Sequence, residues 1–258
     1  MTTAERRIEL YSILQADKTV EVSDLAKRFS VSTMTVRRDL AMFEKQGLVT
    51  TNYGGAYLNE GTSVEPSFTW KSGQQIQNKK AMGRAAAELV KDGESIILDC
   101  GTTTMQMVPY LLNKKITIVT ASWGVIRYFQ GNTKAELVLA PGRYSQTSNG
   151  AMSEMTIEFF RNIHVDKTFV GADGVDLMSG ATVPDSMDAY VKKAIMQSGK
   201  ECILMATGDK LEKRFLVEFS PLRAFRCLIT DETPGDAFTE GLKRLKTGLV
   251  IATPQGLS

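Results

Sequence analysis

The chain has 258 residues, 43% hydrophobic and 23% charged, with 31 basic and 29 acidic side chains and a formal net charge of +2. That length suits one large domain or a small and a medium one, and the composition is ordinary for a soluble globular protein. The near balance of charge excludes a protein that holds nucleic acid by bulk charge, so any DNA interface must come from local patterning.

The first residues, Met1–Arg7, lack the apolar core of a signal peptide, and no apolar run is long enough to span a bilayer; the chain is expected to be cytoplasmic, with no membrane partner. Ile8, Tyr11, Ile13 and Leu14 predict a helix from about Ala4 to Gln15, and the pattern breaks over Lys18–Val22. Ser23 reads as an N-cap for a short helix through Leu25, Ala26 and Phe29. After the turn at Ser30-Val31, Ser32 reads as a second N-cap, opening a helix to about Gln46 that stops at Gly47. In it Val36, Leu40 and Phe43 form the inward stripe, which leaves Ser32, Thr33, Met34, Thr35, Arg37 and Arg38 for other faces. Small polar groups at a helix start, followed by two arginines, suit entry into a major groove. Leu48–Tyr57 alternates like a strand and turns at Gly54-Gly55, putting Asn52 and Tyr53 at the tip of a wing. The pattern is that of a winged helix-turn-helix; a small helical domain that binds protein is the rival reading.

Ser23–Ser32, Thr35–Leu40, Gly47–Val49 and Tyr53–Ala56 resemble the signature of the DeoR family of transcriptional regulators. The resemblance implies a DNA-binding module over residues 3–58, with its helix-turn-helix at about 20–40 and double-stranded operator DNA as partner. The wing departs from the family pattern, which carries a basic residue where Thr51-Asn52 stand.

Residues 59–78 mix Gly61, Pro66 and Gly73 with short polar side chains and read as a linker, in which Phe68 and Trp70 are expected to pack against a domain. From residue 79 to 258 strands and helices alternate. A helix is expected over Ala81–Val90, with strands at Ser95–Asp99, Ile116–Thr120, Ala135–Ala140, Lys167–Val170, Cys202–Ala206, Arg226–Thr230 and Leu249–Ala252. The fold class is therefore α/β, a mostly parallel sheet covered by helices behind the small winged domain. Cys100, Cys202 and Cys227 lie far apart in apolar runs and read as packed thiols. A single histidine, His164, leaves little for a metal site or a histidine-based catalytic pair, so no metal, cofactor or catalytic residue is expected.

Ligands of such sheets bind beyond the carboxyl ends of the strands. There Asp99, Gly101, Thr102, Thr103 and Thr104 join a strand to a helix, offering a close backbone approach, hydroxyl groups and a helix start that favours an anion. Other strand-end loops hold Ser122, Gly142, Gly150, Asp173 and Lys210, which could complete a pocket or could serve only as turns and surface charge. Asp92-Gly93, Asp99–Thr103, Val119-Thr120, Asp166-Lys167, Gly171, Gly174 and Lys210 again fall in the order of the DeoR-type sensor domain, itself similar to ribose-phosphate isomerase. That resemblance implies a phosphorylated sugar or polyol as effector, with phosphate at Gly101–Thr104 and with Asp173 and Lys210 facing the ligand. Ala121, Pro141 and Asp209 depart from the family pattern. An isomerase-like enzyme is the competing function. Here Val170 precedes and Gly174 follows the Gly171-Ala172-Asp173 stretch where an isomerase carries acids, which favours a sensor. The expected protein is a homodimeric or homotetrameric repressor of a carbohydrate or polyol operon.

Overall fold

A computed structural model describes residues 1–129 and 133–257. The chain divides into two compact units, Met1–Trp70 and Lys71–Ser258.

In the first unit, helix α1 (Thr3–Asp17) opens on a capping box: Thr2 accepts the Glu5 amide while the Glu5 carboxylate accepts the Thr2 amide. Strand β1 (Thr19–Glu21), helix α2 (Val22–Phe29), helix α3 (Thr33–Lys45) and strands β2 (Val49–Thr51) and β3 (Gly55–Leu58) follow. The strands form an antiparallel sheet in the order β1-β3-β2. Leu10, Leu14, Val22, Leu25, Phe29, Val36, Leu40 and Phe43 make the core, at the helical spacing that the sequence displays. Gly55 is required by contact, because a Cβ there would fall 1.9 Å from the Val20 carbonyl oxygen.

Two local expectations are corrected. Lys18–Val22 is no mere break, because Thr19–Glu21 pairs with β3. Ser23 does not cap α2, which begins one residue earlier; Glu21 holds the cap position without a side-chain bond. The Val22 amide instead donates to the Gly54 carbonyl at 2.8 Å, so the hairpin does what a cap would do. Ser32 does cap α3, accepting from the Thr35 amide at 3.2 Å.

Much of 59–70 is folded onto this unit. Asn59 bridges Thr50 and the Gly47 carbonyl. Helix α4 (Phe68–Gly73) brings Trp70 edge-on to Tyr11 and Phe43, with ring centroids 4.8 and 5.3 Å away. Burying that indole against two aromatics stabilises the end of the unit.

The second unit begins with helix α5 (Ile76–Glu88), five residues earlier than expected. Strand β4 (Ser95–Leu98) leads through a 3-10 turn (Thr104–Met107) into the short helix α6 (Val108–Leu111), then β5 (Thr117–Thr120), α7 (Trp123–Ile126) and β6 (Glu136–Leu139). A two-stranded hairpin, β7 (Tyr144–Ser145) and β8 (Gly150–Ala151), precedes α8 (Glu154–Arg161) and β9 (Val165–Gly171). Strands β10 (Gly174–Asp176) and β11 (Gly180–Val183) come next, then α9 (Ser186–Ser198), β12 (Gly199–Met205), β13 (Val217–Ser220), β14 (Cys227–Thr230), α10 (Asp236–Leu245), β15 (Gly248–Thr253) and β16 (Gly256–Leu257).

The main sheet runs β16-β15-β14-β12-β9-β4-β5-β6, parallel throughout except for the β15–β16 pair at one edge. The inner strands alternate between two cores, while the edge strand β6 is largely exposed. Ile96, Leu98, Ile118, Phe169, Ile203 and Ile229 meet α5, α6 and α7 on one face. Ile97, Val119, Val170, Leu204 and Leu228 meet α8, α9 and α10 on the other. Burial on both faces is why these strands read as short unbroken apolar runs. Strands β10, β11 and β13 form a separate small antiparallel sheet. No described helix is long and apolar enough to cross a membrane.

After β4 the chain lays down β5 and β6 to one side, then returns to place β9 on the other side of β4. The crevice beyond the ends of β4 and β9 is thus a topological switch point, the usual ligand position of such sheets.

Candidate functional site

Two surfaces carry the sequence-predicted residues, one in each unit. In the first, the α3 stripe of Val36, Leu40 and Phe43 is buried, so Ser32, Thr33, Met34, Arg37 and Arg38 are driven outward, with Thr35 half-buried. Arg37 is not loose: its guanidinium donates to the Tyr53 carbonyl at 2.9 Å and lies 5.8 Å from the Tyr53 ring centroid. Tyr53 is 94% exposed at the wing tip. Asn52 shapes that tip, its side-chain oxygen accepting from the Gly54 and Gly55 amides at 3.0 and 2.7 Å. Glu44 on α3 accepts from the Thr51 amide and hydroxyl, both at 2.8 Å, which lowers its pKa and ties β2 to the helix. Behind α3, the buried Asp39 carboxylate accepts from Arg6 Nε and Arg7 Nε of α1, each at 2.7 Å.

In the second unit, β4 delivers Asp99 to the switch point. Its carboxylate is buried and takes four donors: the Gly101 amide at 2.8 Å, the Thr104 hydroxyl at 2.5 Å, the Gly171 amide at 2.7 Å and Lys192 Nζ at 2.5 Å. Burial works against its ionised form, but Lys192 and these hydrogen bonds outweigh burial and hold the pKa below the usual carboxylate range. Asp99 therefore acts as the pin that joins β4, the threonine loop, β9 and α9. Gly101 is needed where the chain folds back, since a Cβ would lie 2.8 Å from Asp99 Oδ1 and 2.9 Å from Thr104 Oγ1.

Around the pin stands a set of lysines and carboxylates. Lys79 Nζ, itself buried, donates to Thr102 Oγ1 at 3.1 Å and to the Lys71 carbonyl. Lys71 Nζ lies 3.6 Å from Asp173 Oδ1. Gln75 reaches Asp209 at 3.2 Å, and Asn78 reaches Asp231 at 2.6 Å. Lys210 lies 3.4 Å from Asp209. Burial pushes the Lys79 pKa down to about 8, with Lys210 and Lys71 adding to the effect and Asp209 and Asp173 opposing it. Asp173 is held below its usual range: burial raises it, but Lys71, Lys210 and Lys192 lower it further. The arrangement is a crowded cradle in which lysines and ionised carboxylates are near balance beside hydroxyls; its ammonium groups can meet a phosphate and its carboxylates the hydroxyls of the body that carries it.

The structure brings together Asp99, Gly101, Thr102, Thr104, Asp173 and Lys210. Thr103 lies in the same loop, largely buried. Ser122, Gly142 and Gly150 belong to the neighbouring β7–β8 region. Buried Ser122 caps α7 and bridges to Gly150, which sits so close to Cys100 that a Cβ would meet its Sγ at 2.3 Å. Gly142 is tucked beside Ser153 and Thr156. These three shape the ground next to the cradle, and their closest neighbours are one another, Cys100 and the start of α8. Sequence reasoning missed Lys71, Lys79 and Lys192. Lys79 left a signal, because it falls three residues before Met82 and seven before Ala86 on the buried stripe of α5. A lysine on an apolar stripe is either mispositioned or functional. Among the described residues no group of three or more His, Cys, Asp or Glu side chains could hold a metal.

Residues 6–62 match the DeoR-like helix-turn-helix domain, and residues 74–232 match the DeoR C terminal sensor domain. The chain is 30% identical over 254 residues to a transcriptional repressor-type protein of Escherichia coli O157:H7 named for the aga operon, covering 96% of this chain and 94% of that one. It is 27% identical to the HTH-type transcriptional repressor GlcR of Bacillus subtilis (97% of each chain). It is 25% identical to the glycerol-3-phosphate regulon repressor of Escherichia coli K12 (91% and 93%). The overlay on ribose 5-phosphate isomerase A of Methanocaldococcus jannaschii is loose: TM-score 0.39, 19% identity, 54% of this chain and 55% of that one.

Proposed function

The chain belongs to the DeoR family of transcriptional regulators, and from that premise we propose that a phosphorylated sugar or polyol bound among Gly101–Thr104, Lys79 and Lys210 releases α3 and the wing from operator DNA. Family membership makes the protein a DNA-binding regulator and not an enzyme. Its relatives are named as repressors, one for the aga operon and one for the glycerol-3-phosphate regulon, and this chain is read as a repressor of a carbohydrate or polyol operon, working in the cytoplasm. One observation carries the effector reading. Lys79 donates to Thr102 of the threonine loop at the switch point, with the charges of Lys71 and Lys210 felt at its ammonium, beside two carboxylates able to accept sugar hydroxyls.

The same geometry suggests how binding is felt. Lys71, Gln75, Asn78 and Lys79 all reach the cradle, and they follow directly on Trp70, the last residue of the DNA-binding unit. A phosphate that recruits Lys71 and Lys79 competes with Asp173 and with the Lys71 carbonyl, so the ligated and free forms of 71–79 differ. Such a difference is what a ligand needs in order to shift DNA affinity.

The test is calorimetry with a panel of sugar and polyol phosphates and their unphosphorylated parents, followed by DNA-release assays with each binder. Phosphorylated compounds alone should bind and release DNA. Thr103→Glu places a negative charge in the cradle and should abolish that binding while leaving DNA affinity intact. Unchanged ligand affinity in this variant would place the phosphate elsewhere.

A further inference from the structure

The charges behind the recognition helix do not cancel. Asp39 accepts from two arginines, both through Nε and both at 2.7 Å. Arg6 is almost fully enclosed, its side chain 9% exposed against 2% for Asp39, and that pair is neutral. Arg7 is the surplus: its side chain is 37% exposed and carries the unit of positive charge left over.

We infer that Arg7 is a DNA-phosphate contact, held in position by Asp39 at the flank of the recognition helix. On α3, Asp39 follows Arg38 by one residue and Thr35 by one turn. A group fixed to Asp39 therefore stands beside the edge of the helix surface that carries Thr35 and Arg38. The guanidinium is rigid and planar, and its Nε edge is committed to Asp39. Its terminal amino groups have no hydrogen-bond partner among the described residues and are the part that can meet an anion. An arginine already immobilised by a buried carboxylate loses less freedom on meeting a phosphate than one that swings in solvent. Arg6 alone would neutralise Asp39, so the second arginine is surplus to a purely internal role. Neither arginine is legible as an interface residue in the sequence, where both precede Ile8, the first large apolar side chain of α1.

The inference rests on DNA binding through this unit, and the experiment separates the two. Binding of the full chain to a mixed-sequence DNA duplex is measured by fluorescence anisotropy across a salt series, with melting temperature followed in parallel. Removing one phosphate contact lowers the slope of log affinity against log salt by about 0.9. Arg7→Ala should lower it by that amount per subunit bound and weaken specific and mixed-sequence DNA by the same factor. Arg7→Gln keeps a donor toward Asp39 and removes only the charge, so it should lower the slope equally even if the alanine variant is unstable. Arg6→Ala should reduce the melting temperature and leave the slope alone. A wild-type slope in both Arg7 variants would overturn the phosphate contact while sparing DNA binding by α3. Failure of the wild-type chain to bind any duplex would overturn both.

Discussion

Lys79 keeps its charge in surroundings that oppose it. Its pKa falls to about 8, from burial first and from Lys210 and Lys71 after that. The unfolded chain holds that proton more tightly, so below about 8 this group subtracts from stability, and the loss is relieved as pH rises from about 8 toward the ordinary 10.5. A shift of that size corresponds to a penalty on the order of 3 kcal/mol at neutral pH. A bound phosphate removes the penalty and lifts the pKa, so effector binding should take up a proton near pH 8. Phosphate monoesters lose their second proton near about pH 6, so the effector's own charge is constant above pH 7. Effector affinity should therefore fall as pH passes upward through about 8, and calorimetry in buffers of different ionisation enthalpy should show proton uptake; Lys79→Met should lose both. Affinity flat across that range would mean that Lys79 does not touch the ligand. The arginines of α3 were readable without a structure, because Val36, Leu40 and Phe43 leave Arg37 and Arg38 facing out. Replacing both with alanine should weaken binding to a sequence selected by the wild-type chain from a random pool, by about 1–3 kcal/mol for each guanine that an arginine reads. Wild-type affinity in the double variant would unseat α3 as the reading helix. The bond from Arg37 to the Tyr53 carbonyl was not readable, since nothing in a local pattern says which wing atom meets which helix.

At the scale of elements, Asp99 decides whether the threonine loop exists in its observed shape. It joins the end of β4 to the Gly101–Thr104 turn, to the end of β9 and to Lys192 on α9. Asp99→Asn leaves Lys192 buried without its nearest carboxylate, with Asp188 3.8 Å away. Breaking a buried pair in this way typically costs about 3–5 kcal/mol, to be read as a lower urea midpoint. Because the folded carboxylate has a lowered pKa, its contribution is complete above the ordinary carboxylate range and is lost as pH falls through the lowered value. A variant of wild-type stability would show that the loop is held by its backbone alone. The seven parallel strands were legible because each is a short, mostly apolar run, covered on both faces in the middle of the sheet and left largely exposed only at the edge strand β6. The sheet of β10, β11 and β13 was not. Its strands are three or four residues long, and β11 finds β13 only across α9 and β12. The helix expected after Thr104 is a 3-10 turn joined to four residues of α6, since that loop is bent around the Asp99 carboxylate.

For the whole molecule, one winged helix offers limited contact with DNA, and two half-sites joined by symmetry multiply affinity. A dimer or tetramer is therefore expected by light scattering at micromolar concentration, and a monomer both with and without DNA would contradict it. By itself the sequence determined the two kinds of unit, the outward-facing start of α3, the wing and the threonine loop beyond β4. Each of these is written in neighbouring residues, as a helical or strand period, a cap or a turn. Only the tertiary structure decided which distant charges share one space. Arg6 and Arg7 meet Asp39 across the first unit, and Lys71, Lys79, Asp99, Asp173, Lys192 and Lys210 gather in the second from segments far apart in the chain. The same contacts show that 71–78, read in the sequence as part of a connector, lends side chains to the cradle alongside Lys79. Periodicity reports which face of an element is buried, but the partner of a buried charge is set by strand order and helix packing, which no local window contains.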